Sequence, residues 1–138
     1  MGKAVILSIA PKYAKAIYEG RKHWEFRTQP PPVGYDVYLY ETAPVCRVTG
    51  AMSFCYAVSG VPEYVWNVVK SLGHFHLRKY NKPGISRQQF YEYCKGKESV
   101  TALRIEVQVK MDTPQLLPDG VRPPQNWCYV ATRDKDGK

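Results

Sequence analysis

The chain has no Cys-x-x-Cys pair. Its four cysteines, Cys46, Cys55, Cys94 and Cys128, do not have the spacing of a zinc knuckle. It has no apolar run near the ~20 residues needed to span a bilayer. Its first residues, Met1-Gly2-Lys3-Ala4, lead straight into strand-like sequence without the apolar region of a signal peptide. The expectation is a cytoplasmic protein with reduced, mostly buried cysteines, and no cofactor is expected. Acidic residues are the scarcer charge, 12 against 20 lysines and arginines. The resulting net charge of +8 attracts polyanions without specifying which one.

What is present fits one domain. The 138 residues leave little room for two, and residues 1–130 are read as the domain with 131–138 as a polar tail. The hydrophobic content of 44% is ordinary, so disorder is not the default. Eleven tyrosines are many for this length, and each offers a stacking face with a polar tip.

Ala4 to Ile9 reads as a β-branched strand. Pro11 opens a helix whose apolar side is Tyr13, Ala14 and Ile17, and Gly20 stands at its C-terminal cap. Strands are expected at Lys22–Arg27, Asp36–Glu41, Arg47–Ser59 and Ser99–Lys110. Gly50 marks a bulge or bend in the third of these. The Pro30-Pro31-Pro32 run makes a loop. A second helix spans Val61 to Leu72. A third follows Ser86, which forms a capping box with Gln89 while Ile85 and Phe90 form the hydrophobic staple. Five to six strands and about three helices that do not strictly alternate predict an α+β fold, built on a small, closed or partly closed barrel.

The chemistry concentrates in Gly20-Arg21-Lys22-His23-Trp24-Glu25-Phe26-Arg27. Strand alternation puts Trp24 and Phe26 on one face, expected to enter the barrel core. His23, Glu25 and Arg27 fall on the other, expected to line a cleft between barrel and helices. Lys22 begins the strand on a flexible stem able to swing over that cleft. An ionised carboxylate is an acceptor only, suited to an amino group on a base edge, while the two cations suit phosphate or carbonyl oxygens. Taken alone, the same residues are also what a surface ion pair along a strand looks like.

This segment resembles the G-x-K-x-x-E-x-R signature of the ASCH family, within the PUA-like superfamily. Val37 to Pro44 followed by Val48-Thr49-Gly50 is similar to the family's next two strands. Pro123-Pro124-Gln125 with Trp127 and Tyr129 is similar to the C-terminal segment of a bacterial and phage-type subgroup. The resemblance implies a mixed PUA-like barrel and a cleft that binds RNA or a nucleotide through Lys22, Glu25, Arg27, Thr42, Gln125 and His23. Family members that hydrolyse acylated nucleosides pair this lysine with a threonine nucleophile. Glu25 occupies that threonine's place here, so that chemistry does not carry over. Thr42 is more simply a turn hydroxyl before Ala43-Pro44.

Outside the motif, Arg78, Lys79, Tyr80 and Lys82 extend a basic, aromatic stretch from Lys70, His74 and His76, a pattern suited to single-stranded nucleic acid or to a solvated loop. His74 and His76 lack a visible third ligand, so no metal site is expected. Noncatalytic binding of RNA or a nucleotide is the first reading. A ribonuclease or nucleoside-directed hydrolase, with Lys22 as base, is the second. A transcription-coregulator interaction module, requiring an exposed apolar patch, is the third.

Overall fold

A computed structural model describes residues 3–72 and 81–131. Six strands form one mixed sheet: β1 (Lys3–Ile9), β2 (Trp24–Arg27), β3 (Val37–Glu41), β4 (Arg47–Gly60), β5 (Val100–Gln115) and β6 (Trp127–Ala131), in the order β2-β5-β4-β3-β1-β6. β1 and β3 pair in parallel and the other neighbours antiparallel. Among the described residues, helices α1 (Pro11–Tyr18), α2 (Pro62–Leu72) and α3 (Arg87–Cys94) pack with the sheet in an α+β fold.

The strands carry apolar residues on both faces because each face meets a different partner. Val5, Leu7, Val37, Leu39, Met52, Leu103 and Ile105 pack inside the sheet's curl against Ala14 and Ile17 of α1. Trp24 and Phe26 do not enter that core, contrary to the sequence expectation. They face Val65, Trp66 and Val69 of α2 and Phe90 of α3, forming a second core on the other side of β2. The apolar stripes of α2 and α3 need a partner surface, and these two rings supply it. Phe90 sits 5.0 Å from the Phe26 ring and 4.9 Å from the Trp66 ring. The Trp24 indole N–H donates to Asn81 Oδ1 at 2.6 Å, and Asn81 Nδ2 donates to the Val69 carbonyl at 3.0 Å, so this core also anchors the chain entering α3.

The β4 register shifts between Val48 and Gly50 against both neighbours: Thr49 is the extra residue against β3, whereas against β5 the extra residues, 111–114, lie on β5. Gly50 is required there, since a Cβ would collide with the Tyr18 hydroxyl and the Val109 carbonyl. Beyond this bend β5 continues to Gln115, five residues past its expected end. Before that stretch, apolar alternation in β5 does not mean burial: Val107 and Val109 are 54% and 59% exposed.

The sheet has two edges, β2 and β6, and side chains rather than a backbone ladder join them. Arg27 Nη1 donates to Asn126 Oδ1 at 2.9 Å, and Nη2 donates to the Ser8 carbonyl at 2.8 Å. Asn126 Nδ2 and the Trp127 indole N–H both donate to the Gln29 carbonyl, at 2.9 and 3.1 Å. Arg27 is thus a clasp across the gap. Replacing it with Met removes hydrogen bonds from a charged donor and is expected to cost roughly 1.5–3 kcal/mol in denaturant unfolding. The exposed Lys82→Met control should stay within about 0.5 kcal/mol of the parent.

Candidate functional site

The end of α1 sets the position of the motif. The Gly20 N–H bonds to the Ile17 carbonyl at 3.1 Å and the Arg21 N–H to the Ala16 carbonyl at 2.8 Å, a Schellman closure that uses the positive φ of Gly20. The chain is thereby turned so that Lys22 points inward. His23 is then pinned to the segment before α3. Its N–H donates to the Lys82 carbonyl at 2.7 Å, and its Nδ1 accepts from the Lys82 N–H at 2.9 Å. Regular strand geometry begins only at Trp24.

Lys22 is 2% exposed and Glu25 6%. The Lys22 ammonium does not swing freely over the site, as the sequence reading expected. It donates to the Pro83 carbonyl at 3.2 Å and lies 3.9 Å from Glu25 Oε1. It also stands 5.2 Å from the Tyr13 ring centroid and 5.3 Å from that of Phe26. Gly84 packs so closely on the lysine stem that a Cβ there would collide with Lys22 Cβ and Cγ. Burial, the largest influence, lowers the Lys22 pKa; Glu25 opposes it and Arg27 adds to it. Glu25 Oε1 also accepts from the Phe26 N–H at 3.1 Å, and Oε2 lies 3.5 Å from Arg27 Nη2.

These residues wall a cleft of about 230 Å³ at the mouth of the curled sheet, between α1, β2 and α3. Ile9, Ala10, Phe26 and Ile85 give it apolar surface, and Tyr13, Lys22, Glu25, Arg27, Gln89 and Tyr93 give it polar groups. The Tyr93 hydroxyl accepts from the Thr28 N–H at 3.0 Å, tying α3 to the end of β2. The arrangement offers flat apolar walls, cationic donors and one carboxylate, groups able to hold a small planar ligand with oxygen acceptors.

Three predicted site residues do not line this cleft. His23 turns its ring to Lys82, and burial, then Arg104 and Lys82, lower its pKa. Thr42 lies in the turn after β3, its N–H bonded to the Ile9 carbonyl at 3.0 Å and its carbonyl accepting from Val45. Gln125 is exposed; its neighbour Asn126 holds Arg27 instead, because the chain enters β6 with the Asn126 side chain toward the clasp. Of the expected outer surface, Lys82 is exposed, while Arg78, Lys79, Tyr80, His74 and His76 lie outside the described residues. The α3 contribution, Gln89 and Tyr93, was missed. Its one sequence signal was the capping box, which places Gln89 in the first turn of α3. Among the described residues there is no group of three His, Cys, Asp or Glu able to hold a metal ion, and no helix long and apolar enough to cross a membrane.

No family model matches the chain. An ASCH domain-containing ribonuclease of Zymomonas mobilis is 26% identical over 140 residues, spanning 96% of this chain and 87% of that protein. The crystal structure of ASCH from the same organism superposes with a TM-score of 0.74 at 25% identity, over 97% of this chain and 90% of that one. The chain is an ASCH-domain protein. A Tyr→Phe mutant of the Zymomonas ASCH protein gives a TM-score of 0.75 at 25% identity, over 93% of this chain and 90% of that one. In this ASCH domain the family-like lysine, glutamate and arginine meet at one cleft, with the arginine serving the fold as well.

The buried lysine makes stability depend on pH. Lys22 binds its proton less readily in the folded state, so between its lowered folded pKa and the ordinary 10.5 the unfolded chain carries more protons. Stability contributed by this group therefore rises with pH through that window. Urea unfolding of the parent and of Lys22→Met across that range should show the slope reduced in the variant. Gly84→Ala should destabilise by about 1–3 kcal/mol, since it combines a left-handed backbone with a blocked lysine stem.

Proposed function

We propose that this ASCH domain acts on RNA and seats one nucleotide in the cleft. The observation that carries the reading is the buried Lys22 ammonium in the cleft wall, beside Glu25 and the Phe26 and Tyr13 rings. A cation in so dry a place attracts a phosphate or carbonyl oxygen more strongly than a surface lysine does. The apolar wall accepts a base face. The positive field of the whole protein, +8, brings the polyanion in. Arg27 adds charge at the rim, but two of its donors are already engaged in joining the sheet edges.

A second reading, strand cleavage, is favoured by the lowered Lys22 pKa and by the name of the Zymomonas relative, a ribonuclease. A neutral Lys22 amine takes the proton of the ribose 2′-hydroxyl. The 2′-oxygen bonds to phosphorus, the bond from phosphorus to the 5′-oxygen breaks, and that oxygen takes a proton from water. Amide hydrolysis by a nucleophile at position 25 is not supported, because both Glu25 oxygens are engaged by Phe26 and Arg27.

Fluorescence anisotropy with short single-stranded RNA tests binding. If six phosphates are neutralised, affinity should fall on the order of a thousandfold from 50 to 200 mM salt, and Lys22→Ala should weaken it further. Cleavage should produce a 2′,3′-cyclic phosphate, persist in EDTA, and fall about 10²- to 10⁴-fold in Lys22→Ala. Its rate should rise with pH as the amine loses its proton. Intact RNA in every condition removes the cleavage reading, and a flat salt response removes RNA as the ligand.

A further inference from the structure

Gln89 occupies the third position of α3, where its side chain closes the capping box. The Ser86 N–H donates to Gln89 Oε1 at 3.0 Å, and the Gln89 N–H donates to Ser86 Oγ at 3.1 Å. A backbone N–H can only donate, so the amide atom facing it is the oxygen, which fixes the orientation of the amide. The other end, Nε2, has no hydrogen-bond partner among the described residues, and Gln89 lines the cleft. Gln89 is exposed at the rim of the cleft, so its oriented donor is open to a ligand seated there. Several of the other polar groups there are already engaged, while the Tyr13 and Tyr93 O–H groups keep a proton to donate. Lys22 is engaged by Pro83 and Glu25, Glu25 by Phe26 and Arg27, and the Tyr93 oxygen by Thr28.

We infer that Gln89 determines base preference in the cleft by donating from Nε2 to a base carbonyl, so that keto bases are favoured over amino bases. Uracil and cytosine make the closest comparison. They have the same size and stacking face, but uracil carries an acceptor at the 4-position where cytosine carries an amino donor. One neutral hydrogen bond made or lost corresponds to about a two- to tenfold preference for uridine. The inference rests on the proposed RNA function and adds the class of base to it.

Gln89→Glu provides the test because a carboxylate serves the capping box as well as an amide does. The helix cap is kept while the donor becomes an acceptor. Affinities of 2′-O-methyl oligonucleotides of four uridines and of four cytidines would be measured for the parent and for Gln89→Glu, with thermal melting of both proteins. The added negative charge weakens both ligands alike, so the readout is their ratio. A parent preference for uridine that is lost or inverted in Gln89→Glu, at unchanged melting temperature, is the expected result. An unchanged ratio with binding retained would overturn the role of Gln89 and leave the RNA reading standing. No binding of either oligonucleotide by a parent protein that also fails to bind unmodified RNA would overturn both.

Discussion

A lysine ammonium inside a folded domain needs oxygen partners, and supplying them for Lys22 shapes this end of the molecule. The Pro83 carbonyl must approach from the segment before α3, Glu25 must turn inward from β2, and Gly84 must lack a side chain so that the lysine stem can pass. Each of these belongs to a different part of the chain. Their convergence fixes α3 against β2 and so forms the cleft. Burial of the charge is unfavourable in itself. The proposed function gives that burial a role, with a dry cation of lowered pKa as the working group.

The second constraint is the unclosed sheet. The β2 and β6 edges have no shared ladder, so their approach depends on Arg27, Asn126, Trp127 and the Gln29 carbonyl. Arg27 suits this because its planar fork can serve several oxygens at once. One side chain therefore links the fold to the site: it holds Ser8 and Asn126 on one side and neighbours Glu25 on the other. A substitution at Arg27 would alter both stability and ligand binding, and only comparison with Lys22 and Gln89 variants separates the two effects.

Much of this was legible in the chain itself. Strand alternation and the cap residues placed β1 to β5 and the helices, most of them to within a few residues, because they report local geometry; β6 was not placed. The Lys22, Glu25 and Arg27 triplet was legible as a candidate site through its resemblance to the ASCH signature, and the structure places the three side chains beside one another. What could not be read was which face met which partner. Trp24 and Phe26 alternate as core residues should, yet their core lies under α2 and α3, whose packing is set by residues about forty to sixty positions away in the chain. His23 shared the parity of Glu25, but its backbone pairing with Lys82 precedes the strand and turns it away. Asn126 and Gln125 differ by one position, and only the approach of β6 to Arg27 decides between them.

The central claim is that a nucleotide enters the cleft beside Lys22 instead of resting on the outer basic surface. A nuclear magnetic resonance titration with uridine 3′-monophosphate tests it most directly. The account predicts that the Gln89 side-chain amide and the backbone amides of Lys22 and Phe26 shift together and saturate along one binding curve. Shifts confined to exposed residues such as Lys82, with those three signals unmoved, would contradict it.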